Sequence, residues 1–185
     1  MHRSFCFLAL ACTVAACERS PETTSPTPPA GHSHSAARQQ GPLSADVQRQ
    51  LAELRQLTAS FHDFGTAGDA GWGTQITGCF EDPQAGAMGF HYGNTALIDG
   101  TVDARQPELL LYEPRKNGEL RFAAVEYIVP FGAWTAPDPP RLYGQSFHRN
   151  EAFGLWVLHV WHFRHNPSGI FTDWNPTVSC EFAAS

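Results

Sequence analysis

Two β-rich runs, Glu108 to Glu113 and Leu120 to Val129, flank Arg115-Lys116-Asn117-Gly118. An Asn-Gly pair supplies the positive-φ residues of a tight turn, so these runs are expected to pair antiparallel as a hairpin. A hairpin in the middle of the chain demands a sheet around it. Met88 to Asn94 and Leu155 to Arg164 read as further strands, rich in aromatic and β-branched residues. Pro137-Asp138-Pro139-Pro140 and Pro167-Ser168-Gly169 mark surface loops between or after them.

Ahead of the strands, Ser44 is a good N-cap and Asp46 sits where it meets the positive end of a helix. Val47, Leu51, Leu54, Thr58 and Phe61 then recur at three and four, one apolar stripe with His62 at its margin. Gly65, Gly68, Gly71 and Gly73 dissolve the helix into a loop carrying Trp72. One helix followed by antiparallel strands is an α+β arrangement. The expected architecture is an N-terminal amphipathic helix packed on a curved antiparallel sheet, cone-like or a small barrel, within a single domain over residues 43–185. With 42% apolar and 12% aromatic residues, that domain has material for one core. Lys+Arg total 12 against Asp+Glu 18, a net charge of −6, which argues against a basic nucleic-acid binder.

Residues 1–16 read as an address. Arg3 is followed by a short run of small and apolar residues, too short to span a membrane. Val14-Ala15-Ala16-Cys17 resembles the lipobox of bacterial lipoproteins, which implies that Cys17 carries the lipid and starts the mature chain. The alternative is an ordinary secretory signal cut elsewhere. Residues 17–42 are rich in Ser, Thr, Pro, Ala and Gly, the composition of a disordered tether. This reading expects an exported protein of the cell envelope, held to a membrane by its lipid.

Removing Cys6, Cys12 and Cys17 from the five cysteines leaves Cys79 and Cys180. Two thiols in an oxidising compartment favour a disulfide, and no Cys-x-x-Cys pattern supports a thiolate metal pair.

Strand parity selects the chemistry. On Leu120 to Val129, Phe122, Ala124, Glu126 and Ile128 share one face, which sets Glu126 among apolar neighbours. On the last run, Leu155, Val157, His159, Trp161 and Phe163 share a face, so His159 is expected to be buried. His91 lies between glycines that thin its strand, a mark of close approach. His91, Glu126 and His159 are therefore candidates to converge inside a curved sheet and bind one divalent transition metal, Zn²⁺, Cu²⁺ or Fe²⁺, with His62 as a fourth ligand or acid/base. The competing reading is a buried polar network that only fixes the fold. His148 is expected at the surface, and Asp173-Trp174-Asn175-Pro176 either offers a carboxylate on a loop or, as Asx-rich words before proline usually do, caps a turn.

Gly86-Ala87-Met88-Gly89-Phe90-His91-Tyr92-Gly93-Asn94, Leu158-His159-Val160-Trp161 and Asp173-Trp174-Asn175-Pro176 through Cys180 together resemble an uncharacterised family of exported bacterial proteins. The resemblance implies one domain from about Ser60 onward and carries no catalytic residue. Three functions stay open: a small-ligand or metal-binding module, a small hydrolase or isomerase using the same cluster, and a structural envelope lipoprotein.

Cys17→Ala is expected to abolish uptake of labelled fatty acid and to leave an unprocessed or soluble form. Lipid labelling of both proteins checks this. A wild-type protein that takes up no label would refute the anchor.

Overall fold

Ser44 adopts extended backbone and its hydroxyl oxygen accepts the Val47 N–H at 3.3 Å, so helix α1 begins at Ala45 and runs to Thr58. This is a computed structural model describing residues 42–183. The signal segment, Cys17 and the tether up to residue 41 lie outside the described residues. Leu51, Leu54 and Thr58 form the buried stripe of α1. Arg55, in its last turn, donates to the carbonyl of His162 at 3.0 and 2.5 Å.

Among the described residues eight strands follow: β1 (Thr74–Asp82), β2 (Gly86–Gly93), β3 (Leu109–Pro114), β4 (Leu120–Pro130), β5 (Arg141–Leu142), β6 (Gln145–Ser146), β7 (His148–Asn150) and β8 (Leu155–Val160). Six make one antiparallel sheet in the order β1-β2-β3-β4-β8-β7, while β5 and β6 pair separately. The β3–β4 hairpin turns at Asn117-Gly118, with Gly118 at φ 82° and the Gly118 N–H donating to Arg115 O at 2.9 Å. The sheet is strongly curled yet stops short of a barrel, because β1 and β7 remain its two edges.

Two strand limits depart from the sequence pattern. The whole of β1 is absent from the runs read as strands; this edge strand is largely exposed and carries few large apolar residues, so no alternation betrays it. At the other end, β8 stops at Val160 and does not continue to Arg164. Trp161 N–H turns to Ile170 O at 2.9 Å, and the N–H groups of Phe163 and Arg164 both go to Ala123 O. Phe163 consequently joins the α1 side of the sheet, whereas Trp161 stays on the other.

Each sheet face has its own core. Leu110, Tyr112, Phe122, Val125, Tyr127, Leu158 and Val160 pack with Leu51, Leu54 and Phe61 beneath α1. Leu109, Leu111, Ala124, Ile128, Val157 and Trp161 pack on the opposite face, covered by Val178 and Cys180 of the C-terminal segment. That second face is the concave one. Phe80 on β1 and Phe153, just before β8, come within 6.2 Å although they belong to opposite margins of the sheet. Tight curvature needs glycine where backbones crowd: Gly89 has φ 91°, and a Cβ there would run into the Tyr112 carbonyl of β3. Register shifts between β1 and β2 add local twist.

Cys79 on β1 bonds to Cys180, with Cα atoms 5.8 Å apart. Among the described residues no helix is long and apolar enough to cross a membrane. Because the bridge closes a separation of 101 residues, Cys180→Ala is expected to lower the unfolding free energy by about 2–5 kcal/mol. Urea denaturation of oxidised wild type and variant measures it; equal midpoints would overturn the assignment of the bridge as a main stabilising link.

Candidate metal centre

In an antiparallel sheet, residues in register point to the same face. Glu126 of β4 stands opposite His159 of β8, and His91 of β2 stands opposite Leu111, whose own partner on β4 is Ala124. All three polar groups therefore project into the concave face. There His91 and His159 are each 2% exposed and Glu126 6%.

The side chains meet at their tips. His91 Nε2 lies 3.4 Å from Glu126 Oε2, and His159 Nε2 lies 3.7 Å from Glu126 Oε1. One ligand-type atom from each of the three residues falls within 4.8 Å of the others. Bonds of about 2.0–2.2 Å in a tetrahedron set neighbouring ligand atoms about 3.3–3.6 Å apart. The two histidine–Glu126 contacts are near that spacing, and the widest separation in the set would have to close by about 1.2–1.5 Å for a first-row divalent ion.

Each imidazole is held from behind. Thr77 Oγ1 donates its proton to Gly78 O at 3.0 Å, so at 2.9 Å from His91 Nδ1 it accepts the ring N–H. That leaves the His91 Nε2 lone pair facing Glu126. His159 Nδ1 lies 3.1 Å from Asp173 Oδ1, and the other oxygen of Asp173 lies 3.1 Å from His148 Nε2. An ionised carboxylate only accepts, so His159 also carries its proton on Nδ1. Its Nε2 is buried and makes no hydrogen bond. Imidazoles oriented by an outer carboxylate or hydroxyl, with Nε2 left over, are how proteins prepare metal ligands.

Electrostatics follow from this packing. Burial, then repulsion from His159, pushes the His91 ring down to about 3, so it is neutral. Burial also opposes charge on His159, but Glu126 and Asp173 outweigh it and raise that ring above its ordinary value. Burial raises Glu126, with His159 acting against it. Burial would raise Asp173 too, yet hydrogen bonds from His148 and His159 hold it well below the usual carboxylate range.

His62 is not a fourth ligand. Its ring packs on Phe163 at 4.4 Å and Phe122 at 5.7 Å, on the α1 side of the sheet, because the helix covers the convex face. His162 also faces that side, 3.0 Å from Thr58 Oγ1. His148 is exposed on β7. The Asp173-Trp174-Asn175-Pro176 word fills both roles read for it: Asp173 presents a loop carboxylate to two histidines, and Asn175 Oδ1 accepts the Thr177 N–H at 2.9 Å. That Asp173 backs His159 had no signal in residue order. Glu108 was not singled out. It is buried beside Asp99, Thr101, Asp103 and Gln106, accepts the Ile128 N–H at 3.0 Å, and burial raises its carboxyl to about 8.

No known family model, curated protein or solved structure matches the chain.

Burial lowers the His162 ring to about 3. The unfolded ring takes up a proton below about pH 6.5 and the folded ring does not, so stability falls as pH drops through that value, by up to about 1.4 kcal/mol per pH unit. His162→Gln is expected to weaken the loss of urea midpoint between pH 7 and pH 5. An unchanged pH dependence would show that His162 contributes nothing to it.

Proposed function

We propose that this is an exported, lipid-anchored protein whose curled-sheet domain binds one divalent transition-metal ion through His91, Glu126 and His159. The observation that carries the reading is the His159 Nε2 atom, buried without a hydrogen bond and directed with His91 Nε2 at one carboxylate. A buried ring nitrogen left without a partner, whether it holds a lone pair or a proton, forgoes about 1–3 kcal/mol of compensation. A cation between the three groups would use both lone pairs and the carboxylate charge together. The lipobox-like word at Val14 to Cys17 and the following tether support export and anchoring. So does the resemblance of the His91, His159 and Asp173 words to exported bacterial proteins.

Near-complete burial of the three ligands favours a held ion over turnover of a bulky substrate. The hydrolase or isomerase reading needs an opening that admits one. The purely structural reading needs the cluster to be sealed by hydrogen bonds alone, and the His159 Nε2 atom stands against that.

Tag-free mature protein is expected to contain, or to take up, close to one Zn²⁺, Cu²⁺ or Fe²⁺ per chain, with affinity falling in acid as the imidazoles protonate. His159→Ala should abolish uptake while the circular-dichroism spectrum persists. If wild type binds no metal and His159→Ala merely loses stability, the cluster is a structural network and the proposal fails.

A further inference from the structure

We infer that Asp173 is the positioning residue of this site, fixing the ring orientation and tautomer of His159, with His148 as the anchor that holds Asp173 in place. The inference rests on the metal-binding reading above and says how that site is tuned.

The segment bearing Asp173 belongs to no regular element, yet it is pinned on both sides. Trp161 Nε1 donates to Thr172 O at 2.6 Å, immediately before Asp173. Asn166 Nδ2 donates to Trp174 O, immediately after it, at 2.9 Å. Asn175 is wholly buried, and its N–H and C=O exchange hydrogen bonds with Ala87 at the start of β2. The backbone on either side of Asp173 is therefore tied to the segment that follows β8 and to the start of β2.

Asp173 uses its two oxygens for two rings. Oδ1 meets His159 Nδ1 and Oδ2 meets His148 Nε2, both at 3.1 Å. His148 is on β7, in register with Val157 of β8, so the partner strand of His159 itself supplies the anchor. A carboxylate accepting from Nδ1 forces the His159 proton away from Nε2 and raises the basicity of that nitrogen toward an ion. Without it, the ring is free to carry its proton on Nε2, and the third ligand is lost while the strand stays as it is. His91 has a different arrangement, a neutral hydroxyl from Thr77 behind its ring. The two imidazoles are thus unequal, and His159 is the stronger donor of the pair.

The test uses the mature full chain as wild type, Asp173→Ala, Asp173→Asn and His148→Ala. Zn²⁺ affinity is measured by competition with a chromophoric chelator. Histidine tautomers are read by long-range ¹⁵N–¹H correlation in metal-free protein at alkaline pH, a readout that a merely structural role would not move. Asp173→Ala is expected to weaken Zn²⁺ binding about 10–100-fold and to shift His159 toward the Nε2–H tautomer. Asp173→Asn keeps an acceptor oxygen without the charge and should fall between; it also serves if the alanine variant does not fold. His148→Ala should shift both readouts in the same direction by less. Unchanged affinity together with an unchanged tautomer in the Asp173 variants would overturn the inference. If wild type binds no Zn²⁺, Cu²⁺ or Fe²⁺, the metal reading fails on its own, and the tautomer shift still decides whether Asp173 orients His159.

Discussion

Three inter-strand steps separate β2 from β8, and a flat sheet would hold side chains on those strands about 14 Å apart. Instead, the rings of His91 and His159 lie 6.1 Å apart, nearly edge to face. The curl of the sheet closes that distance, and nothing else about the site exists without it. Curl in turn depends on places where backbone can approach backbone. Gly89 meets the Tyr112 carbonyl, and Gly86 meets the Asn175 carbonyl, at positive φ values that a side chain would not tolerate. A residue larger than glycine at either position would flatten the sheet or break its pairing, and would separate the three polar groups before touching any of them.

Curvature also divides the molecule's chemistry between two faces. The convex face takes α1 and most of the large aromatic residues, with polar atoms that end in backbone carbonyls, as Tyr112 does on Phe61 O at 2.7 Å. The concave face gathers mostly small and aliphatic side chains, with Trp161, around Glu126. Burying a carboxylate there is costly unless it is neutralised, paired or bound to an ion. Contacts of 3.4 and 3.7 Å to two imidazole nitrogens are longer than charge-assisted hydrogen bonds, which fall near 2.7–2.9 Å. The spacing is that of groups arranged around a common centre more than of groups bonded to one another.

Much of this was legible in residue order, where local rules dominate. The Asn117-Gly118 turn was enough to pair β3 with β4, and parity from Ala124 to Ile128 placed Glu126 on an apolar face, although a bulge opposite Leu111 and Tyr112 sends Phe122 to the α1 side instead of the shared face read for it. Parity on the last strand marked His159 as buried, since it lies before Val160, where the ladder ends; its place opposite Glu126 comes from the β4–β8 register. Past that point alternation no longer applied, and Phe163 crossed to the other face. His62 was misassigned for a related reason. A helix stripe reveals which side of the helix is buried, but not which face of the sheet receives it. β1 and the pairing of Asp173 with His159 escaped notice because neither has a period: one is an exposed edge, the other a contact made by a loop residue placed against distant strands.

Those two overlooked pieces carry the outer support of the site, and one covalent bond joins them. Thr77, behind His91, is on β1 close to Cys79; Asp173, behind His159, is on the segment that ends at Cys180. β1 is an edge strand with bulged pairing to β2, and the Asp173 segment has no strand of its own. Each alone would be among the first regions to open locally, since exposed edges and loops have few buried contacts. Bonding Cys79 to Cys180 makes the two regions open together or not at all, and adds the Val178 and Cys180 side chains to the cover over the concave core. The disulfide therefore does more than restrict the unfolded chain. It ties the hydroxyl that orients one imidazole to the segment whose carboxylate orients the other, so both rings keep their Nε2 atoms directed at Glu126.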